Sequence, residues 1–312
     1  MTTIHHIHNF PYPFDERTNG YNYSNNTVPK NNKRVVAVTG QYKNEIQLKR
    51  TLINDHKARC FQALPHTTDA QLEVAQFIMN DLVENDPNNF VISQSESEWT
   101  FNNQLLNEKE QFKIITTENP LLTIGKHVQE DVIIMSERDG DIFLDAALLC
   151  FPSNWSLAFN LGMNFEDIHK PIPQFKKDHL EQKIKRFLLH LEPGMRWTRK
   201  NWSLMAGDKL DTPLETFHEW GKERSNVTTE NVASFVHMRV EDQVLVRLPK
   251  TNTILFTIHT YLMPLKAFSQ SKEKAKQFFE IVQTLPKDIT DYKGISSYKK
   301  EVLHYLQECM TY

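Results

Sequence analysis

The sequence predicts an α+β fold, a five-stranded antiparallel sheet with its helices grouped on one face. Three observations predict it. Residues 132–151 have the pattern strand, tight turn, strand, residues 154–191 change to a helical period of apolar residues, and residues 196–262 return to three strands. Because strands and helices occupy separate runs of the chain, they favour this class over alternating parallel units.

The first two strands are predicted to form a hairpin. Residues 132–135 are an apolar run, and residues 142–151 are a second one. Asp139-Gly140 lies between them and supplies the turn positions that need a positive φ. Neighbouring antiparallel strands are therefore expected here.

Short helices are predicted after this hairpin. Ser153 is a candidate N-cap for a helix over residues 154–161, since its hydroxyl can accept a hydrogen bond from a free backbone N–H. Asn164 is a candidate cap for a single helical turn that leads to His169. The polypeptide would thus deliver His169 at the end of a short helix.

A longer helix and three more strands complete the predicted core. Apolar residues share one face of a helix over 180–191, which Pro193-Gly194 ends. Strands are predicted over 196–204, 235–248 and 253–262, the last two joined by a turn at 249–252.

Four segments are predicted along the chain. They are a loose N-terminal extension (1–33), a helical front section (34–125), the core (126–265) and a C-terminal helical extension (266–312). The front section has two helical patterns separated at Pro65. The tract His5-His6-Ile7-His8 lies in a terminal region without the surrounding hydrogen bonds of a specific metal site, so we expect no functional metal there.

Composition excludes several classes of function. The chain has 312 residues, 36 basic and 39 acidic, with a net charge of −3, which favours neither nucleic acid nor an anionic membrane as a partner. Three widely spaced cysteines argue against a disulfide framework, a thiolate zinc site and an iron–sulfur cluster in this chain. There is no long apolar run, no secretory signal pattern and no glycine-rich phosphate motif, so a cytoplasmic protein is predicted.

His169 is the leading candidate for a functional residue. Pro171 and Pro173 follow it and hold the next residues outside any helix. A stiff backbone can fix the direction of an imidazole, as a metal or cofactor ligand requires. The alternative is a buried histidine that caps a turn.

Alternation predicts a polar row on the strand over 235–248. Arg239, Glu241, Gln243 and Arg247 share one side with His237, and the other side is apolar. The row is either a solvated face or the wall of a cofactor site, in which an arginine pairs with carboxylates.

Two neighbouring strands carry similar pairs of polar residues. His259 and Tyr261 share a face of one strand, and Arg199 and Asn201 share a face of the other. Each pair is either exposed or lines a pocket.

Six short blocks, taken together, resemble the haem-bearing subunit of the haem-dependent oxidative N-demethylase family, including dimethylamine-monooxygenase-like proteins. They cover most of residues 42–265 in order. The blocks are Val128-Gln129-Glu130-Asp131, Cys150-Phe151-Pro152-Ser153-Asn154-Trp155, Ile168-His169-Lys170-Pro171-Ile172-Pro173, Arg199-Lys200-Asn201-Trp202, Arg239-Val240-Glu241-Asp242-Gln243 with Arg247-Leu248-Pro249, and Phe256-Thr257-Ile258-His259-Thr260-Tyr261. The resemblance implies haem and a PAS-type sheet, with which the strand order above is compatible.

The resemblance also implies roles for single residues. His169 would be the proximal haem ligand, with Cys150 as the rival, although Cys150 stands in an apolar run typical of a core thiol. Candidates for the haem propionates are Arg199, Arg239 and Arg247. Candidates for the distal side, and for catalysis, are Glu241, Gln243 and His259.

Two positions depart from the family pattern. An arginine usually stands at the position of His259, and the usual Glu-Arg-Gln pattern is Glu241-Asp242-Gln243 here. Contacts to the substrate or to the propionates are therefore expected to differ.

The implied function is an oxygenase component. With haem and O₂, it would demethylate a small secondary amine and release formaldehyde. Because the sequence has no cysteine cluster and no dinucleotide motif, electrons would come from partner subunits with flavin and an iron–sulfur centre, in a hetero-oligomer. The alternatives are a PAS-type haem or ligand sensor without turnover and a haem-free binding module.

Overall fold

The computed structural model describes residues 10–16, 18–22, 26–113, 117–176 and 179–311. The strands within these residues are β1 (Val28–Pro29), β2 (Phe61–Ala63), β3 (Phe90–Gln94), β4 (Glu98–Asn103), β5 (Glu108–Lys113), β6 (Asp131–Arg138), β7 (Asp141–Leu148), β8 (Arg196–Ala206), β9 (Val236–Arg247) and β10 (Ile254–Pro264). They form an antiparallel sheet in the order β1-β8-β9-β10-β6-β7-β2 and a separate sheet β3-β4-β5.

Helices surround both sheets. The α-helices of the described chain are α1 (Tyr42–Cys60), α2 (Thr68–Asn85), α3 (Pro120–Gly125), α4 (Leu157–Asn160), α5 (Phe165–His169), α6 (Leu180–Leu189), α7 (Phe217–Trp220), α8 (Val232–Phe235), α9 (Leu265–Phe268), α10 (Lys272–Thr284), α11 (Lys287–Tyr292) and α12 (Lys299–Thr311). Short 3₁₀ helices span Pro65–Thr67, Leu214–Thr216 and Gly221–Asn226.

The five predicted strands form the centre of the larger sheet. They stand in the order β8-β9-β10-β6-β7, and the short strands β1 and β2 add an edge on each side. The first hairpin turns at Asp139 and Gly140, whose φ angles are 50° and 71°. The class is therefore α+β as predicted, but the larger sheet has seven strands instead of five.

The two faces of this sheet carry different layers. On β9, Val246 packs into the core formed with α1 and α2, whereas Leu245 packs on the opposite face with Leu188 of α6. Helices α10 and α12 extend the first layer, and α4, α5 and α6 belong to the second. The helices between β7 and β8 thus lie on one face, while those of the two ends of the chain cover the other.

The sheet β3-β4-β5 is an element that the sequence analysis did not predict. It stands within the segment interpreted as helical, after α1 and α2. Its buried residues Trp99, Phe101 and Phe112 pack with these helices. The front section is therefore helical over the two predicted helices and over the short helix α3, and the three-stranded sheet lies between α2 and α3.

Two N-cap residues begin the short helices α4 and α5, which lead to His169. Asn164 caps α5, because its side-chain oxygen accepts a hydrogen bond from the N–H of Asp167 at 2.9 Å. The cap of α4 is Ser156, whose hydroxyl oxygen accepts from Phe159 N. The prediction of Ser153 as this cap was wrong, since residues 153–156 remain extended or bent before the helix begins.

Residues 10–16 of the N-terminal extension pack on the body of the protein. Phe14 makes an edge contact with Trp202 at 5.3 Å between ring centroids, and Tyr12 stacks on Phe268 at 5.0 Å. The tract His5-His6-Ile7-His8 lies outside the described residues. Within the part of the chain that the structure describes, every helix is too short or too polar to span a bilayer.

Candidate cofactor-binding cavity

A cavity of about 380 Å³ lies against the face of the sheet that carries α4 and α5. This volume is within the range of pockets that hold small molecules and cofactors. Its apolar lining includes Ile133, Leu144, Phe165, Ile168, Ile172, Phe256 and Ile258. Its polar lining includes His169, Arg199, Asn201, Arg224, Arg239, Glu241, Gln243 and Lys293.

His169 is one of the residues that line this cavity. It ends α5, and its Nδ1 donates a hydrogen bond to the carbonyl oxygen of Phe165 at 2.8 Å. The ring stacks on Phe175 at 5.1 Å between centroids. Among the described residues the ring has no hydrogen bond through Nε2. A neutral imidazole held in this tautomer offers the Nε2 lone pair as a ligand.

The electrostatics keep His169 neutral. Burial and the nearby charge of Arg199 together lower its pKa to about 4, and the hydrogen bond to Phe165 only partly opposes them. At neutral pH the imidazole therefore carries no proton on Nε2 and needs no deprotonation before it binds a metal.

Three polar residues of β9 form the wall of the cavity. Arg239, Glu241 and Gln243 alternate along the strand and are at most 8% exposed. The guanidinium of Arg239 donates to the carbonyls of Phe151 and Leu210 at 2.6 and 3.0 Å. The polar row is therefore the wall of a site, and the interpretation of it as a solvated face was wrong.

Glu241 is the acidic member of this wall. Its Oε2 accepts hydrogen bonds from the side-chain amides of Gln243 at 3.0 Å and Asn201 at 3.3 Å. Its Oε1 lies 3.7 Å from Nε of Arg239. The strand pairing explains the group, since Asn201 on β8 lies directly opposite Glu241 on β9. The carboxylate is fixed by these donors.

Arg224 and Lys293 line the same cavity and were missed by the sequence analysis. Arg224 stands in the 3₁₀ helix Gly221–Asn226, which follows Trp220 of α7. Lys293 directly follows α11 in the C-terminal extension. No local pattern marks either residue, because each joins the cavity through contacts between distant segments.

His259 does not line the cavity. It lies behind the sheet, where its Nδ1 is 2.9 Å from Oε1 of Glu130 and its Nε2 is 3.6 Å from Oε2 of Glu45. Burial disfavours the charged ring, but the two carboxylates outweigh burial and raise its pKa to about 10. Its ring stacks on Tyr261 at 4.3 Å. This pair is thus buried against α1, neither exposed nor part of the cavity wall.

Arg247 also lies away from the cavity. It is 3% exposed, and its guanidinium contacts Glu137 at 3.0 Å and donates to the carbonyls of Leu188 and Asn252 at 2.7 and 2.9 Å. These contacts tie the end of β9 to α6 and to the last hairpin turn.

Cys150 is a core thiol beside Cys60. Both are fully buried in an apolar cluster outside the cavity lining. Burial raises the pKa of the Cys150 thiol, and a hydrogen bond with Cys60 raises it further. The thiolate form that binds iron is therefore disfavoured at this position.

A second cluster of possible metal ligands lies outside the cavity, on β5 and in the segment after α3. Glu108, Glu110 and buried His127 place one donor atom each within 4.8 Å of one another. However, Asn103 donates to Nδ1 of His127 and to the hydroxyl of Tyr42, which fixes Nδ1 as an acceptor. The proton then resides on Nε2 and faces Glu110 at 3.4 Å. Arg50 also holds Glu108 through two hydrogen bonds, so the cluster is satisfied without a metal.

One comparison with known proteins bears on this chain. The family model described as "HODM_asu-like: Haem-dependent oxidative N-demethylase, alpha subunit-like" matches residues 28–303. The match spans both sheets, most of the cavity lining and most of the C-terminal helices.

Proposed function

Because this chain belongs to the haem-dependent oxidative N-demethylase, alpha subunit-like family, we propose that it is the haem-binding oxygenase component of an enzyme that demethylates a small secondary amine. The observation that carries the proposal is the imidazole of His169, which lines a cavity of about 380 Å³ and has no hydrogen bond through Nε2 among the described residues.

Haem is the cofactor of this family, and the cavity residues fit it. A haem needs an axial ligand, apolar walls for the porphyrin and cations for its two propionates. The cavity supplies His169 as the ligand, residues such as Phe256 and Ile258 as walls, and Arg199 among its cations. We assign His169 as the proximal ligand and Cys150 as a structural thiol.

Bound haem would supply the activation of O₂ for hydroxylation of an N-methyl group, with two electrons from an external donor and two protons, and water as the second product. The carbinolamine would then release formaldehyde. Glu241 attracts the ammonium form of the amine and takes up its proton on a carboxylate oxygen. Gln243 and Asn201 hold that carboxylate in one orientation through the hydrogen bonds described above. Apolar walls exclude water around the methyl group.

Residues implied by the family resemblance divide into two groups under this proposal. Arg199, Arg239, Glu241 and Gln243 serve the cavity, since each lines it. His259 and Arg247 act on structure, because their contacts lie elsewhere in the fold. We propose that the five central strands, in the order β8-β9-β10-β6-β7, are the PAS-like core that the resemblance implies, with two added edge strands.

Electrons for the reaction come from partner subunits in this proposal. The family description names an alpha subunit, which implies other subunits. The chain's three cysteines form no cluster for an iron–sulfur centre, and the sequence has no dinucleotide-binding motif. We therefore propose flavin and iron–sulfur partners for this chain.

An absorption spectrum of the purified protein reconstituted with haem tests the ligand assignment. The wild type is expected to show a Soret band of a histidine-ligated haem, and His169→Ala is expected to lose or shift it. His190→Ala is a matched control, because exposed His190 makes the same type of hydrogen bond, from Nδ1 to the carbonyl of Arg186, outside the cavity. An unchanged spectrum of His169→Ala would exclude His169 as the ligand.

Turnover separates an oxygenase from a haem sensor. A chemical reductant, O₂ and dimethylamine are added to the reconstituted protein, and formaldehyde is measured. Formaldehyde production by the wild type supports the oxygenase. A normal Soret band without formaldehyde for any of a set of small secondary amines would instead favour a haem protein without catalytic turnover.

A further inference from the structure

The cavity lining carries a large excess of positive charge. Its lysines and arginines are Arg199, Lys200, Arg224, Arg239 and Lys293, whereas Glu241 is the one carboxylate among the lining residues. Glu241 faces Arg239, and the ammonium of Lys200 donates to the carbonyl of Tyr12 on the far side of β8. The remaining positive charge calls for an anionic ligand that occupies the cavity.

Arg224 is the most informative of these cations. Its guanidinium lies 5.2 Å from the ring centroid of Phe217 and 5.3 Å from that of Trp220. In the described parts of the chain it has neither a hydrogen-bond acceptor nor a carboxylate partner. Burial lowers its pKa, as is typical of a guanidinium that lacks a counter-ion. A guanidinium without an acceptor is available to bind a carboxylate, and its planar donors match the two carboxylate oxygens.

Lys293 lies beside Arg224. A Cβ added at Gly294 would collide with the guanidinium, so Arg224 packs directly on the residue that follows Lys293. The ammonium of Lys293 donates to the carbonyl of Trp202 and lies 4.9 Å from the indole ring. Burial lowers the pKa of Lys293 to about 8, and the charge of Glu241 opposes this only in part, without forming an ion pair among the described residues. Two cations from distant segments of the chain thus line the same cavity.

We propose that Arg224 and Lys293 form a carboxylate-binding pair that receives the propionate groups of the haem. The inference rests on the proposed function and adds residues that the family blocks do not contain. Arg224 can bind one carboxylate through two parallel hydrogen bonds, and Lys293 adds a point charge. The 3₁₀ helix Gly221–Asn226 and the end of α11 therefore act as positioning elements for the cofactor.

An order of binding follows from this charge distribution. A cationic amine is repelled by a cavity whose lining has more positive than negative side chains. Two propionates neutralise the pair, after which Glu241 is left to attract the amine. Amine binding is therefore expected only in the haem-loaded protein.

Titration of the haem-free protein with two forms of the cofactor tests the pair. Haem carries two carboxylates, and haem dimethyl ester has the same ring without them. Arg224→Gln is expected to weaken haem binding by about tenfold to a hundredfold, the range of a hydrogen bond to a charged group, and to change binding of the ester less than twofold. Lys222→Gln is the matched control, since Lys222 is an exposed cation of the same 3₁₀ helix. Arg224→Lys should restore part of the lost affinity.

Other outcomes would overturn the proposal. Equal weakening of haem and ester would mean that Arg224→Gln alters the shape of the cavity, and an unchanged affinity for both would exclude the pair. A third outcome is an unchanged affinity for haem together with weaker binding of N-methylglycine, which is measured from the shift of the Soret band. This result would mean that Arg224 binds the carboxylate of a substrate and not a propionate. If the wild type binds neither haem nor the ester, the proposed function itself fails.

Discussion

His169 and His259 occupy opposite faces of one sheet and have opposite electrostatics. The pKa of His169 is lowered to about 4, and that of His259 is raised to about 10. Both rings are enclosed by protein, so burial acts on each in the same direction. The difference comes from the neighbours: His169 has the carbonyl of Phe165 as its hydrogen-bond partner, whereas His259 stands between Glu130 and Glu45.

The two faces of the sheet thus differ in the kind of histidine they carry: one lines the cavity, and the other is held in buried ion pairs. A neutral histidine with a free nitrogen can serve as a ligand, whereas a charged histidine between two buried carboxylates forms structural ion pairs. Glu130 also accepts a hydrogen bond from the N–H of Ala37 at 2.7 Å, so the ion group ties the segment before α1 to β10. Substitutions at the two histidines should therefore have different consequences.

The largest expected effect is the loss of stability in His259→Ala. Removing the cation leaves two carboxylates, 1% and 2% exposed, without their counter-ion, and breaking such a buried group costs about 3–5 kcal/mol. His169→Ala in the haem-free protein removes one hydrogen bond and two ring contacts, so about 1–2 kcal/mol is expected. Urea unfolding of both variants measures the difference, and equal losses would contradict the distinction between the two sites.

A somewhat smaller effect is expected from pH. The folded-state pKa of His259, about 10, lies above its ordinary value of 6.5, so its contribution to stability is complete below about pH 6.5 and is lost as the pH rises towards 10. The expected loss is on the order of a few kcal/mol across this window. Urea midpoints between pH 6.5 and 9.5 measure it. His259→Gln should show a flatter profile, and an equally steep one would assign the effect to other groups.

Sequence was sufficient for elements whose signals are local. Asp139-Gly140 between two apolar runs identified the hairpin β6-β7, and Asn164 identified the start of α5. By contrast, β5 has the sequence Glu-Lys-Glu-Gln-Phe-Lys, in which Phe112 is the buried apolar residue. Such a polar strand has no visible period of its own, because its position depends on pairing with β4.

Only those features of the candidate site that have a local sequence signal could be predicted. Alternation on β9 places Arg239, Glu241 and Gln243 on one side, but alternation does not say what covers that side. The covering elements decide it, and here they enclose a cavity. Arg224 and Lys293 could not be found from sequence, since their proximity arises from packing at Gly294 between segments far apart in the chain.

The neutrality of His169 predicts a haem affinity that varies little with pH. Since an imidazole binds iron only without its proton on the ligating nitrogen, affinity follows the neutral fraction. With a pKa of about 4 that fraction stays near one down to about pH 5, whereas a histidine at 6.5 would lose roughly thirtyfold. Haem titrations from pH 5 to 7.5 should change less than about twofold. A steep decline would mean that His169 is solvated like an ordinary histidine.

The last expected effect concerns Glu241, the acidic residue of the cavity wall. Glu241→Gln keeps the size of the side chain but removes the negative charge that faces the cavity, so binding of a cationic amine to the haem-loaded protein should weaken about tenfold, the scale of one charge-assisted hydrogen bond. Asp242→Asn is the control, because Asp242 is the next residue on β9 and contacts Thr198 on the opposite face. Amine-induced shifts of the Soret band give both affinities, and haem content should stay unchanged in both variants. Equal effects of the two substitutions would show that the amine responds to overall charge and has no contact with Glu241.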